Sequence, residues 1–129
     1  MIRLPKLKLS RKKLGDSGEN LAAKHLRSQG YAIIERNYRL KAGELDLIAR
    51  KGSTLVFVEV KTRRSDRYGP PETAVTRTKQ RRIVRLAEMY MKQKKLLHLQ
   101  PRFDVIAIQW KETGGHEINH IQAAFIARP

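Results

Sequence analysis

Residues 55–63, LVFVEVKTR, constrain this chain more than any other segment. The run opens on four apolar residues of high β-propensity, and it suits a strand covered on both faces near the centre of a sheet. Glu59 interrupts the run and Lys61 follows two residues later. Side chains at i and i+2 leave a strand on the same side, so Leu55, Phe57, Glu59 and Lys61 share a face. A carboxylate and an ammonium are thereby committed to the interior or its rim.

The preceding segment GELDLIAR, residues 43–50, repeats the anomaly, with Asp46 set among Leu45, Leu47 and Ile48. Lys51-Gly52-Ser53 reads as a tight turn joining the two strands into a hairpin. Alternation puts Glu44, Asp46 and Ile48 on one side of theirs. If the connection holds an even number of residues, Asp46 and Glu59 emerge on the same face, opposite or diagonal; an odd loop separates them. Two carboxylates that close repel each other, and a cation removes the repulsion, either Mg²⁺ or the Lys61 ammonium. The plainer alternative is an internal Glu59–Lys61 pair with Asp46 in solvent.

Around this hairpin the pattern predicts a single domain over residues 14–129, after a basic arm at 1–13. A first helix is expected from about Asp16 to Ser28, with Asp16 as N-cap, Glu19 three residues on and Gly30 as the stop. A strand at 31–39 precedes the hairpin. Past the loop SDRYGPPET, residues 65–73, the positions Ile83, Leu86, Ala87, Tyr90 and Met91 form one apolar stripe of a helix over about 76–94. Lys79 lies on that stripe's side and faces inward, whereas Arg81, Arg85, Lys92 and Lys95 lie opposite. Strands at 102–110 and 116–121 follow, before an apolar tail, AAFIA. The order α-βββ-α-β-β is that of a mixed-sheet α/β domain.

The charge is concentrated. Lys plus Arg number 28 against 12 acids, net +16. Residues 1–13 hold six cations and no acid, and residues 61–95 hold twelve cations against Asp66, Glu72 and Glu88. Two such blocks exceed what solubility asks of a surface and point to a phosphate backbone as partner. A chain without cysteine excludes disulfides, thiolate zinc and a thiol nucleophile. No apolar run approaches the ~18–20 residues of a membrane span, and no secretory segment opens the chain, so a cytoplasmic protein with no membrane partner is expected. His116-Glu117-Ile118-Asn119-His120 fits H-E-x-x-H, but after Gly114-Gly115 it reads as a strand and not as a zinc-binding helix. His25 and His98 stand isolated as surface or packing residues. Tyr68 is a loop aromatic able to stack on an unpaired base, and Asp104 beside Arg102 reads as a structural pair.

Asp46 and Glu59-Val60-Lys61 on successive strands resemble the core of the PD-(D/E)XK, or restriction-endonuclease-like, superfamily. Together with GDSGENLA (15–22), RNYR (36–39), GELDLIA (43–49), LVFVEVKTR (55–63), the Gly69-to-Val75 loop with Lys79, and RFDVIAI (102–108), the chain is identified as a member of the YraN family of uncharacterised, predicted bacterial endonucleases. The resemblance implies a nuclease fold similar to that of archaeal Holliday-junction resolvases. It implies Mg²⁺ or Mn²⁺ held by Asp46 and Glu59, with Lys61 as their catalytic partner, and hydrolysis of DNA, including branched or junction DNA. Glu19 matches a first-helix acidic position in that group, as a catalytic residue and metal ligand. It equally fits a capping box with Asp16, and both readings stay open at this stage. Leu45, and not proline, precedes Asp46. Lys79, Arg63, Arg64, Arg81, Arg85 and Lys92 are the cations expected to meet nucleic acid, DNA before RNA, and a homodimer is expected by analogy with the resolvases. The rival readings are a non-catalytic protein binding DNA or structured RNA on the same fold, and a small RNA- or ribosome-associated factor. The two acids favour the enzyme, since phosphate binding alone gains nothing from them.

Overall fold

A computed structural model describes residues 11–64 and 75–127, with side chains described from residue 17 onward. The elements run α1 (Arg11–Ser28), β1 (Ala32–Leu40), β2 (Gly43–Lys51), β3 (Thr54–Arg63), α2 (Arg77–Gln93), β4 (Gln100–Trp110) and β5 (His116–Phe125). They form one five-stranded sheet in the order β1-β2-β3-β4-β5. The pairs β1/β2, β2/β3 and β4/β5 are antiparallel, and β3/β4 is parallel. A parallel neighbour needs a crossover, and α2 supplies it between β3 and β4. The fold is therefore the expected mixed α/β arrangement, with LVFVEVKTR as its central strand.

The two helices cover opposite faces. Ala22, Ala23 and Leu26 of α1 pack on Leu47, Ala49, Val56, Val58, Ile106 and Ile108. Ile83, Leu86, Ala87, Tyr90 and Met91 of α2 pack on Leu55, Phe57, Phe103 and Val105. This is why β3 and β4 carry apolar residues at successive positions: both of their faces are dry. Helix α1 comes closest at Gly18, where a Cβ would lie 2.2 Å from Thr62 Oγ1. Helix α2 begins at Thr76, whose hydroxyl accepts from the N–H of Lys79 at 3.2 Å, and ends with Lys95 in the left-handed region and Leu96 N–H on Met91 C=O.

Several expectations require correction. Helix α1 starts at Arg11, so residues 11–13, read as part of a basic arm, lie in a helix. Asp16 lies inside the helix, which removes the capping box, because a cap must stand at the first turn. Lys12, Lys13 and Leu14 are good helix formers, and they carry the helix past the point where polarity suggested a start. Strand β5 extends to Phe125 and takes in most of the apparent tail, because Phe125 stacks on Phe103 across the sheet. Strict alternation fails in β2. Leu45 and Ile48 both join the cluster beneath α2 while Leu47 joins the one beneath α1, so Glu44, Asp46 and Ile48 do not share one face. The remainder of the arm, the 65–73 loop with Tyr68, and Gly69 to Ala74 of the Gly69-to-Val75 loop lie outside the described residues.

Candidate active site

The hairpin between β2 and β3 turns on two residues, Gly52 and Ser53, since Lys51 pairs with Thr54. Gly52 has φ +60°, a conformation that favours glycine. An even loop sets the register Arg50↔Leu55 through Leu47↔Val58, where the pairing ends. One step further along that register Asp46 stands opposite Glu59. There β2 loses its alternation, and Asp46 Oδ2 accepts the backbone N–H of Val60 at 2.9 Å. The two acids that interrupt the apolar strands thus meet where the strands part.

Glu59 is 8% exposed and lies on the α2 side of β3. Two ammonium groups serve it: Lys79 Nζ at 2.5 Å and Lys61 Nζ at 3.7 Å. Lys79 comes from the first turn of α2 and faces inward as its helical position requires. Burial and the charge of Glu59 push the Asp46 carboxyl up to about 7, against the opposing pull of the Val60 N–H. Burial and the neighbouring Lys79 hold the Lys61 ammonium below the usual lysine range. Burial acts most strongly on Lys79 and against its charge, but the hydrogen bonds to Glu59 and Lys61 and the charges of Glu59 and Asp46 together outweigh it, and the Lys79 pKa is raised. Of the two adjacent amines, Lys61 gives up its proton first.

Glu19 is engaged by β1. Its Oε2 accepts from Asn37 Nδ2 at 2.8 Å, and Arg36 Nη2 of the same strand reaches Asn20 Oδ1. Asn37 adopts φ +50° within β1, a conformation asparagine tolerates better than most residues. Glu19 is near enough for its charge to raise the Asp46 pKa. Among the described residues, no group of three or more His, Asp or Glu stands placed to hold a metal ion. The Asp46–Glu59 donor set nevertheless fits a hard divalent cation. Both donors are carboxylate oxygens, burial and the Glu59 charge both oppose ionisation of Asp46 in the absence of a further cation, and Mg²⁺ is commonly held by one or two carboxylates with water completing its shell.

The other predicted cations divide. Arg81, Arg85 and Lys92 lie exposed on the outer side of α2, away from the carboxylates. Arg63 closes β3 and Arg64 follows it, and both are engaged by other groups.

A second polar cluster escaped the sequence reading in part. Asp104 is fully buried, takes Arg102 Nε at 2.9 Å and Nη2 at 2.8 Å, and accepts the N–H of Ala123 at 3.0 Å. His120 Nε2 lies 2.8 Å from its Oδ2, and His25 Nε2 lies 3.2 Å from His120 Nδ1. His25 is therefore not isolated. It stands four residues after Leu21 and three after Ala22, on the helix's apolar side, and that spacing was the signal for it. The cluster ties α1, β4 and β5 together.

A mixed five-stranded sheet with a helix on each face, and an acid pair with two lysines where its second and third strands part, is the arrangement that the resemblance to the restriction-endonuclease-like superfamily implies. Residues 18–108 match the uncharacterised protein family UPF0102, and this chain belongs to that family. It is 50% identical over 114 residues to a UPF0102 protein of Geotalea uraniireducens, covering 88% of this chain and 90% of that one. It is 44% identical over 118 residues to one of Caldicellulosiruptor saccharolyticus, covering 91% and 100%. Among solved structures it is similar to Pyrococcus furiosus SfsA in complex with Ca²⁺, at a TM-score of 0.42 and 15% identity, covering 88% of this chain and 64% of that one. Among the described residues no helix is long and apolar enough to cross a membrane.

Proposed function

We propose that this chain is a metal-dependent endonuclease that hydrolyses phosphodiesters in DNA, with branched or junction DNA as the preferred form. The observation that carries the reading is the meeting of Asp46, Glu59, Lys61 and Lys79 at one point of a strongly basic domain. Asp46 and Glu59 would hold Mg²⁺ or Mn²⁺. When bound, the ion supplies a Lewis acid for the phosphate oxygen and acidifies a water.

The chain's own groups do the remainder. Lys79 neutralises Glu59 in the free protein and yields that carboxylate when a divalent cation is held, which frees its ammonium for the phosphate. Lys61, with its lowered pKa, orients the attacking water or meets the charge that develops on the phosphate. Cations on α2 draw in the backbone. Glu19 acts through its charge on Asp46, held in place by Asn37.

A second reading has one observation in its favour. Lys79 already satisfies Glu59, as a salt bridge in a non-catalytic nucleic-acid-binding protein would. The experiment that separates the two is a cleavage panel of single-stranded, duplex, flapped and four-way DNA, plus RNA, with Mg²⁺, Mn²⁺ or chelator. The enzyme reading expects metal-dependent cleavage of DNA that is absent in Glu59→Gln. The binding reading expects no cleavage anywhere in the panel.

A further inference from the structure

On the far side of α2 runs a groove of about 380 Å³ that the carboxylate pair does not use. Arg77, Arg81, Val84, Arg85 and Glu88 line it from the helix, and Ile126, just past β5, closes it. These helical positions recur at i, i+4, i+7, i+8 and i+11, a single stripe. At 100° per residue the stripe lies roughly opposite Lys79, so the groove and the acid pair face different sides of one helix. Val84 is half-buried, while Ile126 is 67% exposed and is one of only three exposed large hydrophobics among the described residues. The groove therefore combines an apolar contact surface with three guanidinium groups, and it carries a carboxylate at one end.

We propose that this groove binds an unpaired stretch of nucleic acid, with phosphates on Arg77, Arg81 and Arg85 and a base laid against Val84 and Ile126. Guanidinium groups grip phosphate in a bidentate manner and also stack on base faces, which lysine does not do. A duplex would use only the arginines, because its bases are stacked inward and offer nothing to Val84 or Ile126. An unpaired nucleotide presents both chemistries. Glu88 repels a phosphate chain running the whole length of the helix, so the strand crosses α2 and does not follow it. The proposal rests on the nuclease reading for its choice of polyanion, and it adds a substrate class: DNA with a single-stranded segment engaged across α2 from the scissile phosphate.

The test is fluorescence anisotropy in chelator, so that no strand is cut, with three labelled probes of about 12 nucleotides: oligo(dT), an abasic strand of equal length, and a duplex. The wild type should prefer oligo(dT) to the abasic strand by about fivefold or more, on the order of 1 kcal/mol. Ile126→Ser, an exposed and uncharged change, should abolish that preference and leave duplex affinity unchanged. Arg81→Ala with Arg85→Ala should weaken both single strands and reduce the log–log salt slope by about 1.4, from about 0.7 per phosphate contact. Equal affinity of the wild type for oligo(dT) and the abasic strand would overturn the proposal, as would a preference that survives Ile126→Ser. So would Ile126-dependent binding of an acidic, leucine-bearing peptide in place of oligo(dT). If the groove variants bind normally while Glu59→Gln alone ends cleavage, the groove fails and the nuclease stands. Ile126-dependent strand binding in a protein that cuts nothing keeps the groove and removes the nuclease.

Discussion

Lys79, on the first turn of α2, lies 2.5 Å from Glu59 on β3, closer than Lys61, which shares the strand and face of Glu59 yet stands 3.7 Å away. The crossover helix thus completes a charge pair that the strand alone leaves open. Lys79→Met should destabilise the metal-free protein by about 1–3 kcal/mol, because a buried carboxylate loses its nearer partner while Lys61 remains. Combining it with Glu59→Gln should restore much of the loss, since no buried charge is then stranded. Urea unfolding of the two single variants and the double variant measures the coupling. A coupling energy indistinguishable from zero would show that the two side chains do not act together.

Asp46 has its pKa raised from an ordinary carboxylate value to about 7. The native state therefore binds more protons than the unfolded one between about pH 4 and 7, and stability due to this group falls as pH rises through that window. Asp46→Asn removes the dependence. In chelator its melting temperature should rise relative to wild type from pH 4 to 7 and hold a constant lead above about pH 8. Parallel curves across that range would show that Asp46 ionises as in water.

Asp104 behaves oppositely. Burial alone would raise its pKa, but His120, Arg102 and the Ala123 N–H together hold it below the usual range. Its contribution is present above the unfolded carboxylate pKa and lost as pH falls below it. Asp104→Ala strands Arg102 and His120 and should cost about 3–5 kcal/mol near neutral pH. Its deficit should shrink in acid unfolding experiments below about pH 4, where the wild type loses the same interactions.

Gly18→Ala should destabilise the domain even though alanine favours helices by about 1 kcal/mol, because the new Cβ would meet the β-branched Thr62 at 2.2 Å. Gly18→Ala with Thr62→Ala should recover stability. Thermal melts of both variants check this. If the single variant is more stable than wild type, α1 does not approach β3 at that point.

The element order, the turn within Lys51–Ser53 and the inward Lys79 were legible from hydrophobic periods and turn residues, whereas the turn's even length, on which the facing of Asp46 and Glu59 depends, was not. The apolar residues of β3 demand two covered faces, and the stripe Ile83–Met91 demands a helix on one of them. The start of α1 was not legible, since Asp16 resembles a cap and only the backbone shows the helix running through it. Strand parity misplaced Glu44 relative to Ile48, because alternation breaks between Leu45 and Leu47 where the pairing with β3 ends, and no sequence period records such a break. Asn37 and its bond to Glu19 had no local signal, for the contact spans two elements and depends on a left-handed backbone. Long-range polar pairs of this kind are a product of packing, and packing is what a single sequence states least directly.

On the proposed reading the Asp46–Glu59 pair serves hydrolysis and not binding. Single-turnover cleavage of four-way DNA by wild type and Glu59→Gln, each with Mg²⁺, tests it most directly, with DNA affinity measured in chelator as the control. Glu59→Gln should bind DNA as well as wild type or better, since a phosphate no longer meets that negative charge. Its cleavage rate should fall by at least about 10²–10³, or ~2.7–4 kcal/mol of transition-state stabilisation. A folded wild type that cuts nothing with Mg²⁺ or Mn²⁺, or cleavage undiminished in Glu59→Gln, would contradict the claim.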